Sequence, residues 1–146
     1  MKICSLLNRQ KWEGQYAIQI NESCPNTEHG INQNGINMIS YKLDLFRLYL
    51  PNVEVFVKFN ALVNEQVLVN LKNVCAGFII SNTIPFGQAK EFISYEKYFI
   101  NGSPLVKKLN RKTPDGNYIE GGISGKIIYP VLIDCIRRIT RIDPTV

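Results

Sequence analysis

Three short apolar runs decide what this chain can fold into: Tyr16-Ala17-Ile18-Gln19-Ile20, Val53-Glu54-Val55-Phe56-Val57-Lys58-Phe59 and Ala76-Gly77-Phe78-Ile79-Ile80-Ser81-Asn82. Each has the length and the β-branched or aromatic content of a strand. Two helical patterns separate them. From Met38 to Leu50 the residues Ile39, Leu43, Phe46 and Leu50 recur at intervals of three and four and stop before Pro51, and Asn64 to Asn73 turns Val67, Leu68 and Leu71 inward. Strands apolar on both faces and alternating with helices require parallel pairing through right-handed crossovers, which is α/β layering.

The remaining stretches fit around this core. Ile3 to Lys11 reads as the last turns of a helix, stopped by Glu13-Gly14, and the polar run Asn21 to Asn37 reads as a long loop. After Asn82 the pattern dissolves for some forty residues. Within them Phe92 to Phe99 is aromatic-rich and Thr113-Pro114-Asp115-Gly116-Asn117 is a turn signal, and the stretch between these two is expected to be a hairpin or a lid projecting from the sheet edge. Gly121-Gly122-Ile123-Ser124-Gly125 is a glycine-rich turn before a helix over Pro130 to Thr140, whose Val131, Leu132, Cys135, Ile136 and Ile139 make an apolar face. All 146 residues read as one domain without repeats.

Composition narrows the chemistry. With 45% hydrophobic residues the chain can bury a core, and no apolar stretch approaches the roughly 18 residues of a membrane span. The amino terminus does not read as a secretory signal, so the expected location is the cytoplasm. Cys4, Cys24, Cys75 and Cys135 have no paired spacing and are expected to be free thiols. Only one histidine, His29, is present, so neither a histidine-based metal site nor a serine triad is expected. The net charge of +5 includes clusters at Lys107, Lys108, Arg111, Lys112 and at Arg137, Arg138, Arg141. These read as solvated faces in preference to a nucleic-acid footprint.

Polar groups gather where the strands end. Asn21-Glu22-Ser23-Cys24-Pro25-Asn26, Lys58 and Asn82-Thr83 all fall at carboxyl ends of strands, the edge where parallel sheets and barrels bind ligands. Cys24 is a candidate base or nucleophile, against the alternative of an inert core cysteine. Lys58 either extends to solvent or places a positive charge beside an anionic ligand. Asn21, Asn26 and Asn82 offer donors and an acceptor suited to an imide or carboxylate, against the alternative of loop capping. A glycine at Gly125 allows close approach of backbone to a flat ligand.

In this chain order the residues Asn21-x-Ser23-Cys24-Pro25-Asn26, Val57-Lys58, Ser81-Asn82-Thr83 and Gly121-Gly122-Ile123-Ser124-Gly125 resemble the dihydroorotate dehydrogenases, FMN-dependent (β/α)8 barrels of pyrimidine biosynthesis. Cysteine in the first motif resembles their soluble, cysteine-using class. The resemblance implies a partial TIM barrel, about strands 4 to 6 with flanking helices and a long insertion after the third strand present. It implies oxidation of dihydroorotate to orotate, with Cys24 as the catalytic base, Asn21, Asn26, Asn82 and Thr83 holding substrate, and Asn21, Lys58, Ser81 and Gly125 lining FMN. Glu22 stands where the family has an apolar residue and is expected to raise the thiol's pKa. A closed barrel needs roughly 250 residues, so the chain reads as a fragment or truncation that binds FMN poorly alone and pairs with itself or a complementary barrel segment. Two rival readings are a tRNA-dihydrouridine synthase-like FMN barrel and a non-catalytic half-barrel.

Overall fold

The computed structural model describes residues 5–7, 15–22, 33–98, 108–112, 118–120 and 122–146. Three parallel strands form its centre: β1 (Ala17–Asn21), β2 (Glu54–Asn60) and β3 (Gly77–Asn82), in the spatial order β1-β2-β3. Helix α1 (Gln33–Tyr49) connects the first pair and α2 (Glu65–Leu71) the second. The chain is therefore α/β with a three-stranded parallel sheet, as the alternation of patterns requires.

Helix α1 begins well before Met38, so residues 33–37 extend the helix where the sequence reads as loop. Ile36 explains the difference: it lies one turn before Ile39 and packs against the same core, so the apolar stripe starts earlier than the polar residues around it suggest. At the other end Leu50 N–H still donates to Phe46 O at 2.7 Å before Pro51 stops the helix. Helix α2 starts at a cap, with Asn64 Oδ1 accepting from Gln66 N–H at 2.8 Å. Residues 5–7 are helical, and the remainder of the helix expected over Ile3 to Lys11 lies outside the described residues.

Among the described residues, one face of the sheet is packed as a core. Val55, Val57 and Phe59 of β2 are buried with Ile39 and Leu43 of α1, with Val67, Leu68 and Leu71 of α2, and with Val131, Cys135 and Ile139 of the last helix. Side chains alternate across a strand, so Ala17, Gln19 and Asn21 of β1 and Glu54, Phe56, Lys58 and Asn60 of β2 share the opposite face. There β1 is exposed and β2 ranges from exposed Glu54 to half-buried Phe56, Lys58 and Asn60, so the expectation of two equally apolar faces does not hold.

Parts of the long segment after β3 lie among the described residues. β4 (Ile84–Pro85) leaves the sheet and pairs antiparallel with β7 (Gly122–Ile123), and between them lie the short helix α3 (Tyr95–Tyr98) and an antiparallel pair, β5 (Lys108–Lys112) with β6 (Tyr118–Glu120). β5 and β6 flank the turn signal at 113–117, which lies outside the described residues. A 3-10 turn, Gly125–Ile128, then runs into α4 (Tyr129–Ile142). Arg138 ties α4 to the start of α2 by pairing with Glu65, and it pairs within α4 with Asp134 at 2.7 Å.

Candidate functional site

The register places Asn21 opposite Lys58 and Lys58 opposite Ile79, so all three lie in one row on the open face at the carboxyl edge. By simple alternation Asn82 of β3 would then fall on the helix side, with Ile80 and Phe78. It does not, because the pairing shifts: Phe59 faces Ile80, but Asn60 faces Asn82, and Ser81 is passed over as a bulge. One extra residue turns Asn82 onto the face that holds Asn21.

A hydrogen bond closes the arrangement. Asn82 Nδ2 donates to Asn21 Oδ1 at 2.6 Å, and Thr83 N–H donates to Asn82 Oδ1 at 3.0 Å. Because Asn82 accepts from a backbone N–H, its NH2 must be the end that points at Asn21, and Asn21 must answer with oxygen. Asn21 is thereby left with its NH2 group to donate elsewhere, and its register partner on β2 is Lys58. Donors and positive charge predominate at this edge, which suits carboxylate, imide or phosphate oxygens.

Thr83 is held by packing as well as by its N–H. The backbone of Gly122 runs so close that a Cβ there would stand 2.7 Å from both Cβ and Oγ1 of Thr83. That contact is why β7 needs glycine at this position. Two residues past Ile123, the exposed Gly125 has φ of +80°, a conformation that favours glycine, and it opens the 3-10 turn that leads into α4. Asn60, also on the open face, turns inward on its own loop by accepting from Leu62 N–H at 3.0 Å.

Glu22 does not join this edge. Its side chain is 9% exposed and pairs with Lys42 of α1 at 2.5 Å, while its N–H donates to Lys58 O at 3.1 Å. Glu22 follows the β1 alternation onto the helix side, so its charge is met by Lys42, a partner that sequence reading did not single out. The spacing that reveals it is Lys42 one residue before Leu43 on α1, at the border of the buried stripe.

Among the sequence candidates, Asn21, Lys58, Asn82 and Thr83 are thus brought together, Ser81 forms the bulge beside them, and Gly125 begins the turn into α4. Ser23, Cys24, Pro25, Asn26 and Gly121 lie outside the described residues. Cys75 and Cys135 are free thiols away from this edge. Burial pushes Cys135 up to about 11, with Asp134 adding to the effect, and burial raises Cys75 too. Among the described residues no three histidine, cysteine or acidic side chains cluster as metal ligands, and no helix is long and apolar enough to cross a membrane. A depression of about 510 Å³ lined by Tyr16, Leu50 and Glu54 opens at the amino-terminal ends of β1 and β2, the end opposite this edge.

No family model, curated protein or solved structure matches the chain.

Proposed function

We propose that the chain is the central part of a dihydroorotate dehydrogenase-like (β/α)8 barrel that oxidises dihydroorotate to orotate in the cytoplasm. The observation that supports this reading is the hydrogen bond between Asn82 and Asn21 beside Lys58, three residues far apart in sequence whose motifs carry the resemblance. The single-sided packing of a sheet in the order β1-β2-β3 also suits an arc of a singly wound barrel, whose unpacked face lines the interior.

The donor set fits both groups that the reaction needs. The NH2 left to Asn21 and the Lys58 ammonium match anionic and imide oxygens, on the pyrimidine substrate and on the flavin alike. FMN, when bound, supplies the acceptor for the hydride that leaves C6 of dihydroorotate. Cys24, three positions after Asn21 in sequence, takes the C5 proton as its thiolate. Asn21 and the Asn82-Thr83 pair orient the ring and its carboxylate, with Asn26 completing the set, and Lys58 compensates negative charge that develops beside it. Ser81 and Gly125 contribute backbone at the flavin edge.

The test is an anaerobic titration of the chain with excess FMN, at about millimolar concentration to offset weak binding, followed by dihydroorotate. Loss of flavin absorbance with formation of orotate is expected, and Cys24→Ala and Lys58→Ala should each slow it by about a hundredfold or more. An unchanged flavin spectrum in the wild-type chain, or orotate formation indifferent to both substitutions, overturns the proposal.

A further inference from the structure

Asn60 brings to the carboxyl edge a carboxamide that the proposed reaction has not yet used. It ends β2 on the open face, two positions after Lys58, and is half-buried. The register sets it opposite Asn82, just as Lys58 is set opposite Asn21. Neighbouring strands lie about 4.8 Å apart, so β1 and β3 are about 10 Å apart and the bond from Asn82 to Asn21 has to cross over β2. Its two ends lie at the levels of Asn60 and Lys58, which are therefore the β2 residues on either flank of this bridge.

All three carboxamide oxygens are engaged by the protein itself. Asn21 Oδ1 accepts from Asn82 Nδ2 at 2.6 Å, Asn82 Oδ1 from Thr83 N–H at 3.0 Å, and Asn60 Oδ1 from Leu62 N–H at 3.0 Å. What Asn21 and Asn60 have left to give a ligand is NH2, and Lys58 adjoins both, opposite one across the strands and two positions from the other along β2. An imide edge alternates C=O, N–H and C=O, so its partner must include an acceptor. A carboxylate accepts only, and a row of donors with a fixed cation suits it better. We infer that Asn60 is a further substrate-binding residue, whose NH2 donates to the carboxylate of the substrate. The inference rests on the dihydroorotate reading and narrows it, since it says which side of the pyrimidine faces the end of β2.

Equilibrium dialysis of the full chain against orotate and against methyl orotate, each with FMN at about millimolar concentration, tests this. Asn60→Asp keeps an oxygen for Leu62 N–H and sets a second oxygen where NH2 stood, so orotate should bind at least about tenfold more weakly. Methyl orotate, whose ester carries no charge, should change by less than about threefold. Asn60→Ser keeps an oxygen for Leu62 N–H without adding charge, and it should still weaken orotate by at least about threefold. The urea midpoint of both variants should not fall, because the loop keeps its acceptor. Orotate bound alike by wild type and Asn60→Asp overturns the role of Asn60 and leaves the proposed function standing. So does an equal loss for both ligands, a loss confined to Asn60→Asp, or a loss that comes with a lower urea midpoint. A wild-type chain that takes up neither ligand overturns the proposed function and this inference together.

Discussion

Asn82 Nδ2 and Asn21 Oδ1 meet at 2.6 Å across 61 positions of sequence and across the full width of a three-stranded sheet. The bond is solvent-accessible, so its net worth is about 0.5–1 kcal/mol. Asn21→Ala and Asn82→Ala should each lower the urea midpoint slightly. Their double-mutant cycle should return a coupling of that size, and additive effects would show that the bond does not form in solution.

Lys42 and Glu22 join α1 to the residue that follows β1. The carboxylate is nearly buried while Lys42 is more open, so removing the lysine leaves a charge with poor solvation. Lys42→Met should cost about 1–2 kcal/mol, discounted for solvent screening, and Lys42→Met with Glu22→Gln should recover part of it. Urea unfolding of the two variants measures the difference. No recovery in the double variant would mean that Lys42 acts through its aliphatic stem.

Asp143, just after α4, is held by Lys72 and by the hydroxyl and N–H of Thr145, contacts that pull its carboxyl from the usual 3.8 down to about 2. A lowered carboxylate pKa means that the unfolded chain binds the proton more readily. The stability from this contact is therefore fully present above about pH 4 and lost as pH falls towards about 2. Lys72→Met should flatten that part of the acid-unfolding profile, and an identical profile would exclude the contact as its source.

Gly122 leaves no room for a side chain. Gly122→Ala sets a methyl group against Thr83 and 3.1 Å from Ile84 O, so β4 and β7 must separate or Thr83 must move. A loss of about 1–3 kcal/mol is expected on thermal or urea unfolding. Gly125→Ala tests a different cause: open space surrounds that position, so its smaller cost comes from the positive φ alone.

Cys135 is fully buried and its thiol is pushed up to about 11, so it should stay unmodified by iodoacetamide at pH 8 while the chain is folded. Peptide mapping after alkylation in urea should show it labelled. Labelling of Cys135 in the native state would mean that α4 opens.

Much of the fold is legible in the sequence because its three strands and its helices each repeat an apolar pattern with a definite period. Val57 and Phe59, for instance, announce β2 by composition alone. The start of α1 is not legible in that way, since Gln33, Asn34 and Asn37 read as loop and only the tertiary packing of Ile36 decides for helix. The site is half legible. Asn21 and Lys58 can be placed at strand ends from the pattern, but alternation assigns Asn82 to the wrong face. Glu22 shows the converse: nothing beside it in sequence names its partner, and the strand's alternation brings its charge to Lys42.

The bulge at Ser81 makes the site depend on a count of residues. Any side chain at Ser81 leaves the register intact, whereas one residue inserted between Ser81 and Asn82 would take the place opposite Asn60 and turn Asn82 toward the helices, without altering one polar group named above. A substitution scan would record Ser81 as tolerant. Only a change of length exposes how the edge is assembled, so drift in this region is constrained by insertions and deletions more tightly than by amino-acid identity.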